Sequence, residues 1–187
     1  MYKALAIGVS AGGMTALKTI LPKVPGDFPL SVFIVQHQQL DSDDFLAQYL
    51  NTISVIEVTQ ARCGESILAN HVYIAPAGYH LLVEEDFTFS LSVDPPVNFA
   101  IPSIDVLFDT AAEAYGDELI GLVLTGANSD GSLGLKNINE NGGLALVQDP
   151  QTAEVATMPK AALAATAVHK ILALEEIAAY LRELVHE

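Results

Sequence analysis

Apolar positions along this chain fall into short continuous runs, separated by segments in which they recur every three or four residues. The runs are Lys3–Val9, Ser31–Gln36, His71–Ile74, His80–Glu84, Glu118–Leu124, Gly143–Gln148 and Lys170–Leu172. Several are nearly unbroken, as expected for strands covered on both faces. Helical spacing occurs over Met14–Ile20, Asp44–Ile53, Ile104–Tyr115, Ser132–Asn141, Met158–Ala165 and Glu175–Val185. In the last, Ile177, Tyr180, Leu181 and Leu184 form one stripe, predicting a docked terminal helix. The alternation predicts an α/β fold: a doubly wound, mostly parallel sheet flanked by helices. Residues 75–102 break the rhythm. Leu81–Val83 and Phe87–Leu91 flank Glu85–Asp86, predicting a small β-hairpin insertion, and Pro95–Pro102 reads as a surface loop.

Composition narrows the picture. A chain of 187 residues suggests one domain, 1–187, with room for a sizeable core. No apolar stretch reaches the roughly 20 residues of a membrane span, so membrane insertion is not expected. Lys3 leads at once into a strand and a glycine turn, unlike a signal peptide. Cys63 is the lone cysteine, which excludes an internal disulfide and fits a reducing cytoplasm. Net charge is −15, from 23 acids against 8 bases, which argues against nucleic acid as a partner. Asp41, Asp43 and Asp44 read as a solvated helix start. The His, Asp and Glu residues lack the spacing of a metal site, so no metal is expected.

The candidate chemistry begins at Gly8-Val9-Ser10-Ala11-Gly12-Gly13, between the first strand and the first helix. As a dinucleotide fingerprint it is defective. Ser10 stands where the backbone must approach a pyrophosphate, and the second strand ends in Gln36 and His37 rather than an acid. As a nucleophile turn it fits: Gly-x-Ser-x-Gly places a serine on a tight strand-to-helix bend, with helix N–H groups of Ala11 and Gly12 beside it. Such a serine needs a base, and the base an orienting acid. His37 ends the second strand and so shares an edge with Ser10, whereas His71 begins a strand and faces the opposite edge. His80 and His169 read as loop or surface residues, and His186 as solvated near the terminus. Asp130 follows the strand Glu118–Leu124 and reaches the Ser10 edge; it also reads as the N-cap of the helix after it.

The motifs IGVSAGG, FIVQH, ARCGESILANHVYIAPAGYHLLV, PSIDVLFDTAAEAYGDELIGLVLTGANSDGSLGL and QDPQTAEVATMPKAAL, taken in order, resemble the catalytic domain of chemotaxis protein-glutamate methylesterases over nearly the whole chain. The resemblance implies Ser10 as nucleophile, His37 as base and Asp130 as orienting acid. It also implies Ala11, Gly12, Gly126, Ala127 and Met158 around the oxyanion site or substrate cleft. The implied partner is the methylated signalling helix of a chemoreceptor, with some members deamidating glutamine, and no cofactor. Two departures bear on specificity: Gln38 and Gln39 follow the histidine, and Ala127 replaces a family methionine. Typical members also carry an N-terminal receiver domain. With the first strand starting at Lys3 none is expected in this chain, and a separate regulatory receiver domain is a candidate partner. A different ester or amide, and a catalytically weak signalling module, stand as alternatives.

Overall fold

The structure is a computed structural model and describes residues 1–186. Its core is a seven-stranded parallel sheet in the order β3-β4-β2-β1-β7-β8-β9. The strands are β1 Ala4–Val9, β2 Ser31–Gln36, β3 Glu57–Gln60, β4 His71–Ile74, β7 Leu119–Val123, β8 Leu144–Gln148 and β9 Lys170–Leu172. β5 His80–Val83 and β6 Phe89–Ser92 form a separate antiparallel pair. The helices are α1 Gly13–Ile20, α2 Phe45–Ile53, α3 Ile104–Tyr115, α4 Ser132–Glu140, α5 Thr157–Ala165 and α6 Ile177–His186.

Alternation along buried strands decides which helix covers which face. In β1, Leu5, Ile7 and Val9 pack with α1, α2 and α6 through Leu17, Leu50 and Leu181. Ala4 and Ala6 face the other layer, where Leu107 and Phe108 of α3, Leu135 of α4 and Ala162 of α5 meet the sheet. The hairpin closes that second layer: Leu81, Val83 and Phe89 pack beside Phe33 and Tyr73. The Phe33 and Phe89 rings stand edge to face with centroids 5.5 Å apart, a favoured aromatic geometry. Each fully buried aliphatic or aromatic side chain contributes roughly 1.5–3 kcal/mol, so the two layers rather than helix propensity hold these short helices.

β3 is a strand the hydrophobic pattern did not predict. It is four residues long at the sheet edge, and only Val58 in it is buried. β6 begins two residues later than expected, because the turn runs from Glu84 to Thr88, with Phe87 at φ 59°. β1 lies between β2 and β7: the chain first builds one side of it, with β4 inserted between β2 and the edge strand β3, and then returns to build the other side from β7 outward. That reversal opens a crevice at the carboxyl ends of β1 and β7, where α/β sheets place their ligands. No helix among the described residues is long and apolar enough to cross a membrane.

Candidate active site

Three strand ends deliver side chains to this crevice. Ser10 follows β1, His37 follows β2, and the loop after β7 brings back Asp130. His37 Nδ1 lies 3.1 Å from Ser10 Oγ, and His37 Nε2 lies 2.7 Å from Asp130 Oδ2.

Asp130 is completely buried, yet every lone-pair direction is served. Oδ2 accepts from the His37 ring and from the Ile104 N–H at 2.7 Å. Oδ1 accepts from the Ser103 hydroxyl at 2.8 Å, Asn98 Nδ2 at 3.1 Å and the Asp105 N–H at 3.2 Å. Ser103 is the N-cap of α3, so Asp130 is an anion seated on that helix's N-terminus. It does not cap its own helix, where Gly131 holds the N-cap position. Burial pushes the carboxyl pKa up, but hydrogen bonds from His37, Ile104, Asn98 and Ser103 prevail and hold it below the usual value. An ionised Asp130 assigns the ring proton to Nε2. Nδ1 then offers its lone pair to the Ser10 hydroxyl, the protonation a general base requires.

The nucleophile turn is shaped by two glycines. Gly12 sits at φ 81°, a left-handed conformation that favours glycine. Gly13 is required by crowding: a Cβ there would lie 1.8 Å from Gln36 Oε1 and 2.8 Å from Val9 Cγ2. Gln36 Nε2 donates to the carbonyls of Ser10 and His37, each at 3.0 Å, and so ties the turn to the base. Thr125 Oγ1 donates to the Ala11 carbonyl at 2.8 Å, while the Ser10 N–H donates to Thr125 O at 2.9 Å. The Ala11 and Gly12 N–H groups have no protein acceptor among the described residues. They lie at the mouth of α1, an arrangement that suits a developing oxyanion.

Two of the expected cleft residues belong to the framework instead. The Gly126 N–H donates to Val155 O at 3.0 Å, so it is not free for an oxyanion. Met158 is buried with its thioether against Gly126, and its N–H donates to Gly126 O. Ala127 is exposed on the loop between β7 and Asp130. His80 is neither loop nor surface. It begins β5, is buried, accepts the Ser103 N–H on Nδ1 at 3.1 Å, and places Nε2 3.2 Å from Pro95 O. His71 begins β4 at the far edge, His169 is exposed, and the side chain of His186 lies outside the described residues.

Four supporting residues were not foreseen: Gln36, Asn98, Ser103 and Asp105. Ser103 directly precedes a predicted helix, so its N-cap role was available from sequence. Asn98 and Asp105 act only through tertiary contacts. Asp105 is buried; its carboxylate accepts the Gly134 N–H and Asn98 Nδ2, both at 2.7 Å. Burial raises its pKa, and the nearby Asp130 charge adds to the rise.

Beside Ser10 and His37 runs a groove of about 550 Å³. Met14, Phe45 and Leu46 form its apolar wall, and Asp43 and Glu154 put carboxylates in its lining. Beyond His37 a second groove of about 420 Å³ is lined by Gln39, Leu40, Pro96, Phe99, Ile101 and Asn128. His37 and Gln38 border both. Among the described residues no cluster of three or more His, Cys, Asp or Glu side chains is placed to hold a metal ion.

A serine at a strand-to-helix turn, hydrogen-bonded to an imidazole that a buried carboxylate orients, marks the hydrolases of acyl groups. Residues 5–181 match the model of the CheB methylesterase family, and the chain belongs to that family. It is 55% identical over 177 residues to a Leptospira interrogans protein provisionally named protein-glutamate methylesterase/protein-glutamine glutaminase, covering 95% of this chain and 92% of that one. It is 39% identical over 175 residues to the protein-glutamate methylesterase/protein-glutamine glutaminase of Archaeoglobus fulgidus, covering 92% of this chain and 50% of that one. The CheB methylesterase catalytic domain of Thermotoga maritima superposes with a TM-score of 0.94 at 32% identity, covering 98% of this chain and 99% of that one.

Proposed function

We propose that this chain hydrolyses the γ-methyl ester of glutamate side chains on a protein substrate, methylated chemoreceptor signalling helices, and that it deamidates glutamine at the same centre. The observation that carries the proposal is the continuous hydrogen-bonded array from Ser10 Oγ through His37 to the ionised Asp130. Similarity to relatives named for both activities supports the substrate class.

Ser10 Oγ attacks the ester carbonyl as its proton passes to His37 Nδ1. The resulting imidazolium keeps its Nε2 proton on Asp130. The Ala11 and Gly12 N–H groups receive the oxyanion. Collapse breaks the bond to the methoxy group, which takes the Nδ1 proton and leaves as methanol. Water then attacks the acyl-enzyme, giving its proton to Nδ1, and glutamate leaves as Ser10 recovers its hydrogen. With glutamine the leaving group is ammonia.

The test is methanol release from a methylated chemoreceptor signalling domain. The expected result is release by the unmodified chain and a loss on the order of 10⁶-fold in Ser10→Ala, with a fluorophosphonate labelling the former and not the latter. Labelling at Ser10 without methanol release would assign the centre to a different ester or amide. A folded chain that neither labels nor releases methanol would be a binding module.

A further inference from the structure

Residues 97–100 form a two-residue hairpin turn: the Val97 N–H donates to Ala100 O at 3.1 Å and the Ala100 N–H to Val97 O at 2.9 Å. Its central residues, Asn98 and Phe99, have φ of 51° and 62°. A turn with positive φ at both centres favours Asn-Gly. Asparagine fits here, but phenylalanine stands where glycine is favoured. The backbone strain is not offset by burial, for the Phe99 side chain is fully exposed.

The turn is nonetheless fixed. Asn98 Nδ2 donates to both Asp105 and Asp130, which fastens the hairpin to the triad acid. Phe99 thus stands at a set position above the second groove, with Leu40 also exposed on that groove's wall. The walls of this groove hold no acid and no lysine or arginine, on a chain of net charge −15. The groove beside Ser10, in contrast, is lined by Asp43 and Glu154. Polypeptide laid along the Ser10 groove meets the Asp43 and Glu154 carboxylates and any acid it carries is repelled there, whereas the second groove presents no carboxylate. The two grooves share His37 and Gln38 as a common border, so a side chain inserted at Ser10 leaves its flanking polypeptide free to cross His37 onto the groove without carboxylates.

From this we propose that Phe99 and Leu40 form the docking surface for the polypeptide flanking the scissile glutamate, and that Phe99 sets the affinity for the protein substrate. The proposal rests on the protein-ester reading of the Ser10 site. It is tested by comparing the unmodified chain with Phe99→Ala and Leu40→Ala on two substrates, a methylated receptor signalling domain and p-nitrophenyl acetate, with the oligomeric state of each measured by light scattering. The expected result is at least a tenfold rise in KM for the receptor domain, kcat within about threefold, and little change with the small ester, all three proteins being monomers. Equal kinetics of variant and unmodified chain on the receptor domain would overturn the docking surface and leave the activity standing. So would parallel losses on both substrates, which would mean that Phe99 acts through Asp130. A dimer of the unmodified chain that Phe99→Ala dissociates would assign the patch to a second copy. No methanol release by the unmodified chain would overturn the substrate reading, and the docking proposal with it.

Discussion

At Asp130 a single carboxylate gathers donors from a histidine ring, a serine hydroxyl, an asparagine amide and two backbone N–H groups. Replacing one oxygen by an NH₂ group sets a donor against donors in a site without water access. Asp130→Asn is therefore expected to destabilise the fold by about 2–3 kcal/mol and to lower kcat by roughly 10⁴-fold, since an amide no longer enforces the tautomer. The stability cost depends on pH in a defined direction. Because the folded pKa is lowered, the stabilisation is complete above the unfolded carboxylate value of about 3.9 and fades as pH falls through the lower folded value. Urea titrations should give a constant gap between the two proteins from about pH 7 to pH 5, narrowing below about pH 4. A gap that narrows already between pH 7 and pH 5 would contradict a depressed Asp130. Asp130 itself was legible from its position after an apolar run and before a glycine. Its partners other than His37 were not, since Asn98 lies 32 residues away and Ser103 lies 27 away, and only folding brings them near.

Among the elements, the turn from β1 into α1 carries the most constraint. Gln36 fills the space that a side chain at Gly13 would need, and it holds the carbonyls of Ser10 and His37. Gly13→Ala should displace Gln36 and lower kcat by about 10²-fold through misplacement of the serine. Coupling provides the check: if the damage passes through Gln36, the double variant Gly13→Ala/Gln36→Ala is no slower than Gln36→Ala alone. Additive losses would place the fault elsewhere in the turn. Most elements could be read because buried parallel strands write themselves as unbroken apolar runs, as in Ala4–Val9 and Leu144–Gln148. β3 escaped because an edge strand is covered on one side only, and Glu57 and Thr59 interrupt its pattern. Periodicity locates the helix that Met158 opens but not what its buried side chain meets, which here is Gly126.

Over the whole molecule, 23 acids and 8 bases make self-repulsion the dominant electrostatic fact. Asp105 and Asp109 have pKa values raised first of all by burial, and neighbouring carboxylates add to the rise. For an acid with a raised folded pKa, the protonated form is favoured in the fold. That contribution is full below the unfolded value and is lost as pH rises through the folded one. Asp130 opposes this only as pH falls from the unfolded carboxylate value of about 3.9 through its own lower folded value. Melting temperature should therefore rise as pH is lowered from 8 to about 5.5, and at pH 8 it should rise with added salt that screens the surface charge. A melting temperature that falls over the same pH interval would show that paired carboxylates outweigh the repelling ones. Fold class and charge were both open to reading at this scale, because each is a sum over many residues and survives local errors.

The three groups of the array hang from β1, β2 and β7, and β7 pairs with β1 across more than a hundred residues of intervening chain. On a ribosome, β1 and β2 emerge early and can pair, but the place beside β1 stays vacant until Leu119–Val123 has been made. A nascent chain thus displays its serine and its histidine well before it holds the carboxylate that orients them. On the proposed function, activity begins only when the middle of the sheet closes, and an unfinished or misassembled chain then has no competent hydrolase to release among the proteins around it.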